Sequence, residues 1–285
     1  MELYLITGFL GAGKTTFLKN FARQFAGRRL RLIINEFGRV GVDGTLLRGD
    51  KSLSTYTLRM IERVRAYGIL FVVATARPIR TVKSISALRF DAGIFHNGAV
   101  VYDGAACVGK AGIENPREIA LRILRDRPDC GIGIEAEDVL YENFDAGSIW
   151  PGLSYTYTRD FSELSGKTAD KILVRAGSAA ELESFRAYLP ENLYIQLSEN
   201  AVGMVMNRAA TKLNGIRCLA ARHGIAMEEI VAFGDDLNDV EMLRWCRHSY
   251  AMDNAPDDVK RAAAHVCPRN EEDGVLQTLD VLFPE

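Results

Sequence analysis

Residues 231–260 read VAFGDDLNDVEMLRWCRHSYAMDNAPDDVK, and the opening VAFGDDLND decides the fold. In the EEIVAF strand that leads in, IVAF at 230–233 is an apolar run toward an acidic turn, and VEMLRWC beyond it has helical spacing. A strand that passes through a loop into a helix is the repeating unit of a parallel α/β sheet. Open sheets of this kind bind ligands outside the carboxyl ends of their strands. Asp235 and Asp239 fall at such an end, four residues apart, with Asn238 between them. Two carboxylates and an amide suit Mg²⁺, a hard cation that takes oxygen ligands. The plainer reading is a solvated acidic turn whose Asp235 caps the next helix; the strand–loop–helix context weighs against it.

Outward from this stretch, strand-like and helix-like segments alternate from the first residue. LYLIT at 3–7 reads as a strand, residues 15–27 as a helix closed by Gly27, and LRLIIN at 30–35 as a second strand. FGRVG at 37–41 is a poor core strand, with Arg39 and two glycines where β-branched residues are expected. Ser54 caps a helix through Tyr67 that turns Leu58, Ile61 and Val64 inward and ends at Gly68. ILFVVAT at 69–75 is the continuous apolar run of a strand covered on both faces. Residues 94–109 read as a hairpin turning at Asp103 and Gly104.

From residue 104 the texture changes. Asn115-Pro116 opens a helix, residues 147–161 (GSIWPGLSYTYTRDF) are irregular and aromatic, and Ser178 with Glu181 makes a capping box. Residues 104–203 therefore read as a smaller α+β domain inserted into the sheet domain. The helix–strand–loop–helix pattern resumes after it, so both ends of the chain belong to one domain.

Bulk properties exclude several classes. The 285 residues, 48% apolar and 25% charged, make a globular protein of one large or two ordinary domains. A net charge of −2 gives no pull toward nucleic acid or anionic membrane. Cys107, Cys130, Cys218, Cys246 and Cys267 are odd in number and form no CxxC pair, which favours reduced thiols in the cytoplasm. The opening MELYLITGFLGAGKTT is neither a signal peptide nor a membrane span. His96, His223, His248 and His265 show no ligand spacing and are assigned no chemistry.

GFLGAGKT at 8–15 fits the phosphate-loop pattern, with a strand before it and a helix after it. Gly8 and Gly13 let backbone N–H groups cradle phosphates, Lys14 neutralises them, and Thr15 holds Mg²⁺. This stretch, with INEFGRVGVDGTLL, resembles the opening of CobW-type GTPases and metallochaperones over about the first 47 residues. The chain lacks that group's CxCC-like metal motif, a second carboxylate strand for Mg²⁺, and Asn-Lys-x-Asp for a guanine base. Phosphates can be positioned here, but water activation and base selection have no parts.

The remainder resembles the haloacid dehalogenase (HAD) superfamily, Cof-type branch. The resemblance rests on VGVDGTLLRGDKSLSTYTLRMIERVRAYGILFVVATARP, then FHNGAVVYDG, then Lys212, then residues 231–260, in order over about 245 residues. It implies a doubly wound α/β core of Rossmann-like type with an inserted α+β cap, and Mg²⁺-dependent hydrolysis of a small phosphorylated metabolite. It implies Asp43 as acid/base and metal ligand, Thr75 as a hydroxyl for a phosphoryl oxygen, and Lys212 as a positive charge there. Asp235 and Asp239 complete the metal set, and Arg77, Asn97, Gly98 and Asn238 face the substrate. Without the resemblance, Asp43 reads as a turn residue and Lys212 as surface decoration.

One letter departs from that pattern. The nucleophile, which forms an aspartyl-phosphate and also ligates Mg²⁺, falls at Gly41, and glycine has no side chain for either task. Glu36 lies too early and Asp50 too late in the alignment to replace it. The expected organisation is a CobW-like β-α-β segment at 1–39, a HAD core at 40–103 and 204–285, and a cap at 104–203. The expected activity is phosphohydrolysis weakened at Gly41. The alternatives are a silent phosphate-binding protein and a nucleotide-binding module at the phosphate loop. Trp150, Tyr155, Tyr157 and Phe161 are expected to shape the cap's pocket.

Overall fold

Phe71 and Val73 enter one buried cluster while Val72 and Ala74, between and beside them, enter another. Alternate residues of one strand feeding two cores is what helices on both faces of a sheet require. The computed structural model describes residues 31–35, 45–46, 53–85, 88–145, 147, 154–176, 178–198 and 202–282.

The first part of the chain supplies β1 (Arg31–Asn35), α1 (Thr55–Ala66), β2 (Leu70–Ala74), α2 (Ile79–Lys83), β3 (Ala92–Phe95), β4 (Val100–Asp103) and β5 (Ala106–Lys110). An insert follows: β6 (Ile113–Glu114), α3 (Pro116–Asp126), β7 (Ile132–Ala136), β8 (Val139–Glu142), β9 (Thr156–Tyr157) and β10 (Thr168–Ala169). It continues with β11 (Lys171–Arg175), α4 (Ala179–Ser184), β12 (Leu193–Ser198) and β13 (Val202–Asn207). The chain then returns through α5 (Lys212–His223), β14 (Ile230–Gly234), α6 (Val240–Trp245), β15 (His248–Met252), α7 (Asp257–Ala262), β16 (His265–Cys267) and α8 (Gly274–Leu282).

The large sheet runs β16-β15-β14-β1-β2-β3-β4-β5. It is parallel through β3, and β4 and β5 add an antiparallel edge. Strand order reverses at β1, between β14 and β2, and a doubly wound sheet opens its ligand crevice at that point. One core joins Phe71, Val73, Val231 and Phe233 to α1 and α8; the other joins Val72, Ala74, Ile230 and Ala232 to α5 and α6. Phe71 and Phe233 are fully buried, and truncating either to alanine would cost about 3–5 kcal/mol. Ser54 caps α1 by accepting the Thr57 N–H at 3.0 Å, and Gly68 turns the chain out at φ +73°. The helix buries Thr57, Met60, Ile61 and Val64; Leu58, expected inward, is half-buried.

Three differences from the sequence reading stand out. The place between β14 and β2 belongs to Arg31–Asn35, which the sequence pattern assigns to the N-terminal segment 1–39. Its RLIIN is the apolar, β-branched run that a central strand demands; FGRVG, including Gly41, lies outside the described residues. The second difference is that β5 stays in the large sheet, so the insert begins beyond Lys110 rather than at 104. Third, β13 pairs with β12 and β11, so the insert's sheet runs to Asn207 rather than stopping at 203.

The insert's six strands run β12-β13-β11-β7-β8-β9. One face carries Ile132, Ile134, Ile172, Val174 and Val205 onto α3 and Phe161. The other carries Leu140, Leu173, Val202, Met204 and Met206 onto Ala99 and Val100 of the large domain. Phe161 is therefore part of the insert's own core, not a pocket wall. Tyr155 packs at the second face and Tyr157 is exposed, while Trp150 lies outside the described residues. No helix among the described residues is long and apolar enough to cross a membrane.

Candidate functional site

β14 ends at Gly234, and the chain turns back on itself within residues 235–239 before α6 begins. A Cβ at Gly234 would stand 2.7 Å from Asp239 Cβ, so only glycine lets Asp239 fold beneath the strand end. The Asp239 carboxylate is fully buried there. Its Oδ2 accepts the backbone N–H groups of Asp235 at 3.1 Å and Asp236 at 3.0 Å, and its Oδ1 accepts from Lys212 Nζ at 2.9 Å. Lys212 is 1% exposed, the opposite of surface decoration. Burying an ammonium is tolerable only with a charge partner and further acceptors, and Asn238 Oδ1 supplies another at 3.0 Å.

Asn238 connects this cluster to the loop after β3. Its Nδ2 donates to Asn97 Oδ1 at 3.1 Å, and the Asn97 N–H donates to the Thr75 carbonyl at 2.9 Å. His96 and Asn97 both hold positive φ, a conformation that costs energy and gathers at functional loops. Gly98, at φ +106°, packs closely against the start of α5. A Cβ there would lie 2.2 Å from the Thr211 carbonyl oxygen, so its bareness lets the loop rest against the residue that caps α5 and precedes Lys212.

Thr75 follows β2 and is fully buried; its Oγ1 accepts the Arg77 N–H at 3.1 Å, which leaves its hydroxyl hydrogen to donate. Arg77 is half-buried, and its carbonyl accepts the His96 N–H at 3.2 Å. Ala74 pairs with Asn35, and β1 in turn runs in register beside β14. Thr75 and Asp235 therefore leave the same edge of the sheet on either side of β1, two strand spacings or about 10 Å apart. Thr45 is buried there too, and its Oγ1 donates to Asp235 Oδ1. Thr45 lies two residues beyond Asp43; Asp43, Gly41, Gly8, Gly13, Lys14 and Thr15 are outside the described residues.

Electrostatics separate the two acidic residues. Asp239 has its charge balanced by Lys212. Burial, and next the neighbouring Asp239 charge, push the Asp235 carboxyl well above the usual carboxylate range. A divalent cation would offset both effects, and a buried carboxylate oriented by a hydroxyl is the oxygen donor such an ion takes. Among the described residues no group of three or more His, Cys, Asp or Glu gathers around one point.

Two groups that the sequence did not mark also border the site. Arg80, on α2 three residues after Arg77, makes a bidentate pair with Glu135 of β7, both contacts 2.8 Å, and its N–H donates to Asp138 at 3.0 Å. This fork ties the insert to the large domain. His96 is buried with Nδ1 unpartnered and Nε2 3.7 Å from Asp170; burial, then Lys171 and Arg80, keep its pKa well below the usual value. Neither was visible as a motif, because each depends on residues more than fifty positions away in sequence.

Comparison with known proteins agrees with this architecture. A putative phosphatase of Haemophilus influenzae is 29% identical over 259 residues, covering 85% of this chain and 96% of that protein. A 5-amino-6-(5-phospho-D-ribitylamino)uracil phosphatase of Bacillus subtilis is 24% identical, covering 85% and 95%. Among solved structures, a Thermotoga maritima protein aligns with a TM-score of 0.78 at 22% identity, covering 88% of this chain and 97% of that one. A HAD subclass IIB sugar phosphatase aligns at 0.71 and 23%, covering 88% of this chain and 98% of that one. The start of the chain has other relatives: the CobW/HypB/UreG nucleotide-binding domain matches residues 2–63. A zinc chaperone CobW of Sinorhizobium is 60% identical over 45 residues, 16% of this chain and 13% of that protein. The haloacid dehalogenase-like hydrolase model matches residues 40–279, most of the length, and the chain belongs to that family.

Proposed function

We propose that the protein handles small phosphomonoesters at the carboxyl edge of its large sheet, in a Mg²⁺-dependent hydrolysis held back at Gly41. The observation that carries this reading is the wholly buried Lys212, paired with Asp239 beside Asp235 and Thr45 at the strand-order switch point. Lys212 and the Thr75 hydroxyl are suited to hold phosphoryl oxygens. Asp235 is the metal ligand, with Asp43 as its partner. Asp239, whose oxygens already accept three N–H donors, positions Lys212 and the turn instead of binding metal. Bound Mg²⁺ would neutralise phosphate charge and orient the ester. Asp43 serves as acid/base toward the leaving oxygen. The names of the phosphatase relatives support this substrate class, and the insert acts as its cap.

Gly41 favours a second reading, a phosphate-binding protein with little or no turnover. The CobW-like opening supports weak nucleotide binding at Gly8, Gly13, Lys14 and Thr15, without the parts that select a base. All five cysteines are free thiols, which suits a cytoplasmic location.

The test is hydrolysis of a phosphomonoester panel with Mg²⁺ or chelator, beside calorimetric binding of inorganic phosphate and of GTP. Slow, Mg²⁺-dependent turnover that disappears in Asp235→Asn supports the first reading. Phosphate binding without turnover selects the second. Turnover indifferent to Asp235→Asn refutes the site assignment, and tight guanine-specific binding abolished by Lys14→Ala would promote the nucleotide module.

A further inference from the structure

Glu142, the last residue of β8, is fully buried, and neither of its carboxylate oxygens has a hydrogen-bond partner. Buried carboxyl groups are almost always paired, because stripping one of water without a partner costs several kcal/mol. An orphan of this kind signals a ligand group not yet in place.

Its position tells which ligand. Side chains two apart on a strand share a face, so Glu142 lies on the same side as Leu140. Leu140 belongs to the cluster that meets Ala99 and Val100, the residues directly after Asn97 and Gly98. The pairing register sets Glu142 opposite Gly133, Gly133 opposite Leu173, and Leu173 opposite Met204. This row crosses the insert's face toward the large domain, and the next residue of that face along β7 is Glu135, the partner of Arg80. Gly133 keeps the row open, since a Cβ there would come within 2.9 Å of Glu142 Oε1.

The surroundings are acidic as well as apolar. Burial first, then the charges of Glu135 and Asp145, push the Glu142 carboxyl up to about 8, and no basic group offsets them. Glu135 is committed to Arg80, and Asp145 accepts the Tyr155 hydroxyl at 3.0 Å. Glu142 alone keeps its hydrogen-bonding capacity for an incoming group. That place favours a cation or strong donor at one end of the ligand, while phosphate is held at the other by the sheet edge.

We propose that Glu142 is a specificity residue that recognises an amino group on the organic part of the phosphomonoester, so that aminated esters are preferred over their hydroxyl counterparts. This rests on the phosphoester reading above. It adds which part of the substrate the insert inspects.

The test is calorimetric binding of inorganic phosphate, glucose 6-phosphate and glucosamine 6-phosphate in the presence of Mg²⁺ to wild type and Glu142→Gln. A charge-assisted hydrogen bond should make the amino ester bind about 10-fold or more tightly than the hydroxyl ester in wild type. Glu142→Gln should erase that ratio and leave inorganic phosphate unchanged, which a merely structural role would not do. Equal affinities for the two esters in wild type, or a preference that survives Glu142→Gln, overturns the proposal while leaving the phosphate site intact. If wild type binds neither phosphate nor ester, the phosphoester reading fails, and this proposal fails with it.

Discussion

Replacing Asp239 with asparagine measures how strongly the site depends on its buried ion pair. The side chains of Lys212 and Asp239 are both 0% exposed and meet at 2.9 Å. Asparagine keeps an oxygen for the backbone N–H groups of Asp235 and Asp236 but leaves the Lys212 ammonium against a neutral amide. An exposed pair would be worth about 0–1 kcal/mol. Orphaning a buried charge costs about 3–5 kcal/mol, a third or more of the stability of many domains. Equilibrium urea unfolding of wild type, Asp239→Asn, Lys212→Met and the double mutant reads this directly. Asp239→Asn should lose about 3–5 kcal/mol, and the double mutant should lose less than the sum of the singles by about 2 kcal/mol or more. A loss under about 1 kcal/mol with additive singles would mean that water reaches the pair, and the dry-pocket reasoning would fail.

Two further predictions follow from local geometry. Gly98→Ala combines φ +106° with a 2.2 Å approach to the Thr211 carbonyl oxygen and should cost about 2–4 kcal/mol in the same unfolding assay; an unchanged midpoint would mean that the loop and Thr211 do not touch. For Glu142, the folded-state pKa of about 8 lies above the ordinary 4.5, so the folded protein holds this proton more tightly than the unfolded chain. Stability from this group is therefore present at low pH and lost as pH rises from about 4.5 through about 8. Glu142→Gln should be nearly neutral at about pH 5 and stabilising by about 2–5 kcal/mol at about pH 8.5. A stability difference that does not vary with pH would show that the carboxyl is solvated.

The parts of the fold legible in the sequence are those where burial writes a strong pattern. FVVA in β2 and IVAF in β14 are buried throughout, and their unbroken apolar runs announce a parallel sheet. Ser54 and Gly68 mark the ends of α1 because capping and left-handed turns demand particular residues. Two candidate strands lie within a dozen residues: motif spacing points to FGRVG as the central one, whereas RLIIN, read as a strand of the N-terminal segment, is the one paired between β14 and β2. The insert begins later than residue 104 because β5, the second strand of the hairpin read at 94–109, is the mostly exposed edge of the large sheet rather than the first piece of the insert. Within the site, Lys212 was singled out by resemblance alone; nothing local foretells its burial. The closeness of Gly98 to the Thr211 carbonyl leaves no local trace in the sequence. Arg80, His96 and Glu142 matter through partners, or the lack of them, that only the folded chain reveals.

That Gly41 limits the proposed phosphoryl-handling metal site is tested by initial rates of Mg²⁺-dependent phosphomonoester hydrolysis for wild type, Gly41→Asp, and Gly41→Asp combined with Asp235→Asn. Loss of a covalent nucleophile typically costs several orders of magnitude, so restoring it should raise the rate by about 100-fold or more. Adding Asp235→Asn should abolish that gain. The contrary result is a wild type that is already fast, unchanged by Gly41→Asp, and silenced by Glu36→Gln. It would assign the nucleophile to the residue that directly follows β1 in sequence and overturn the role given to Gly41.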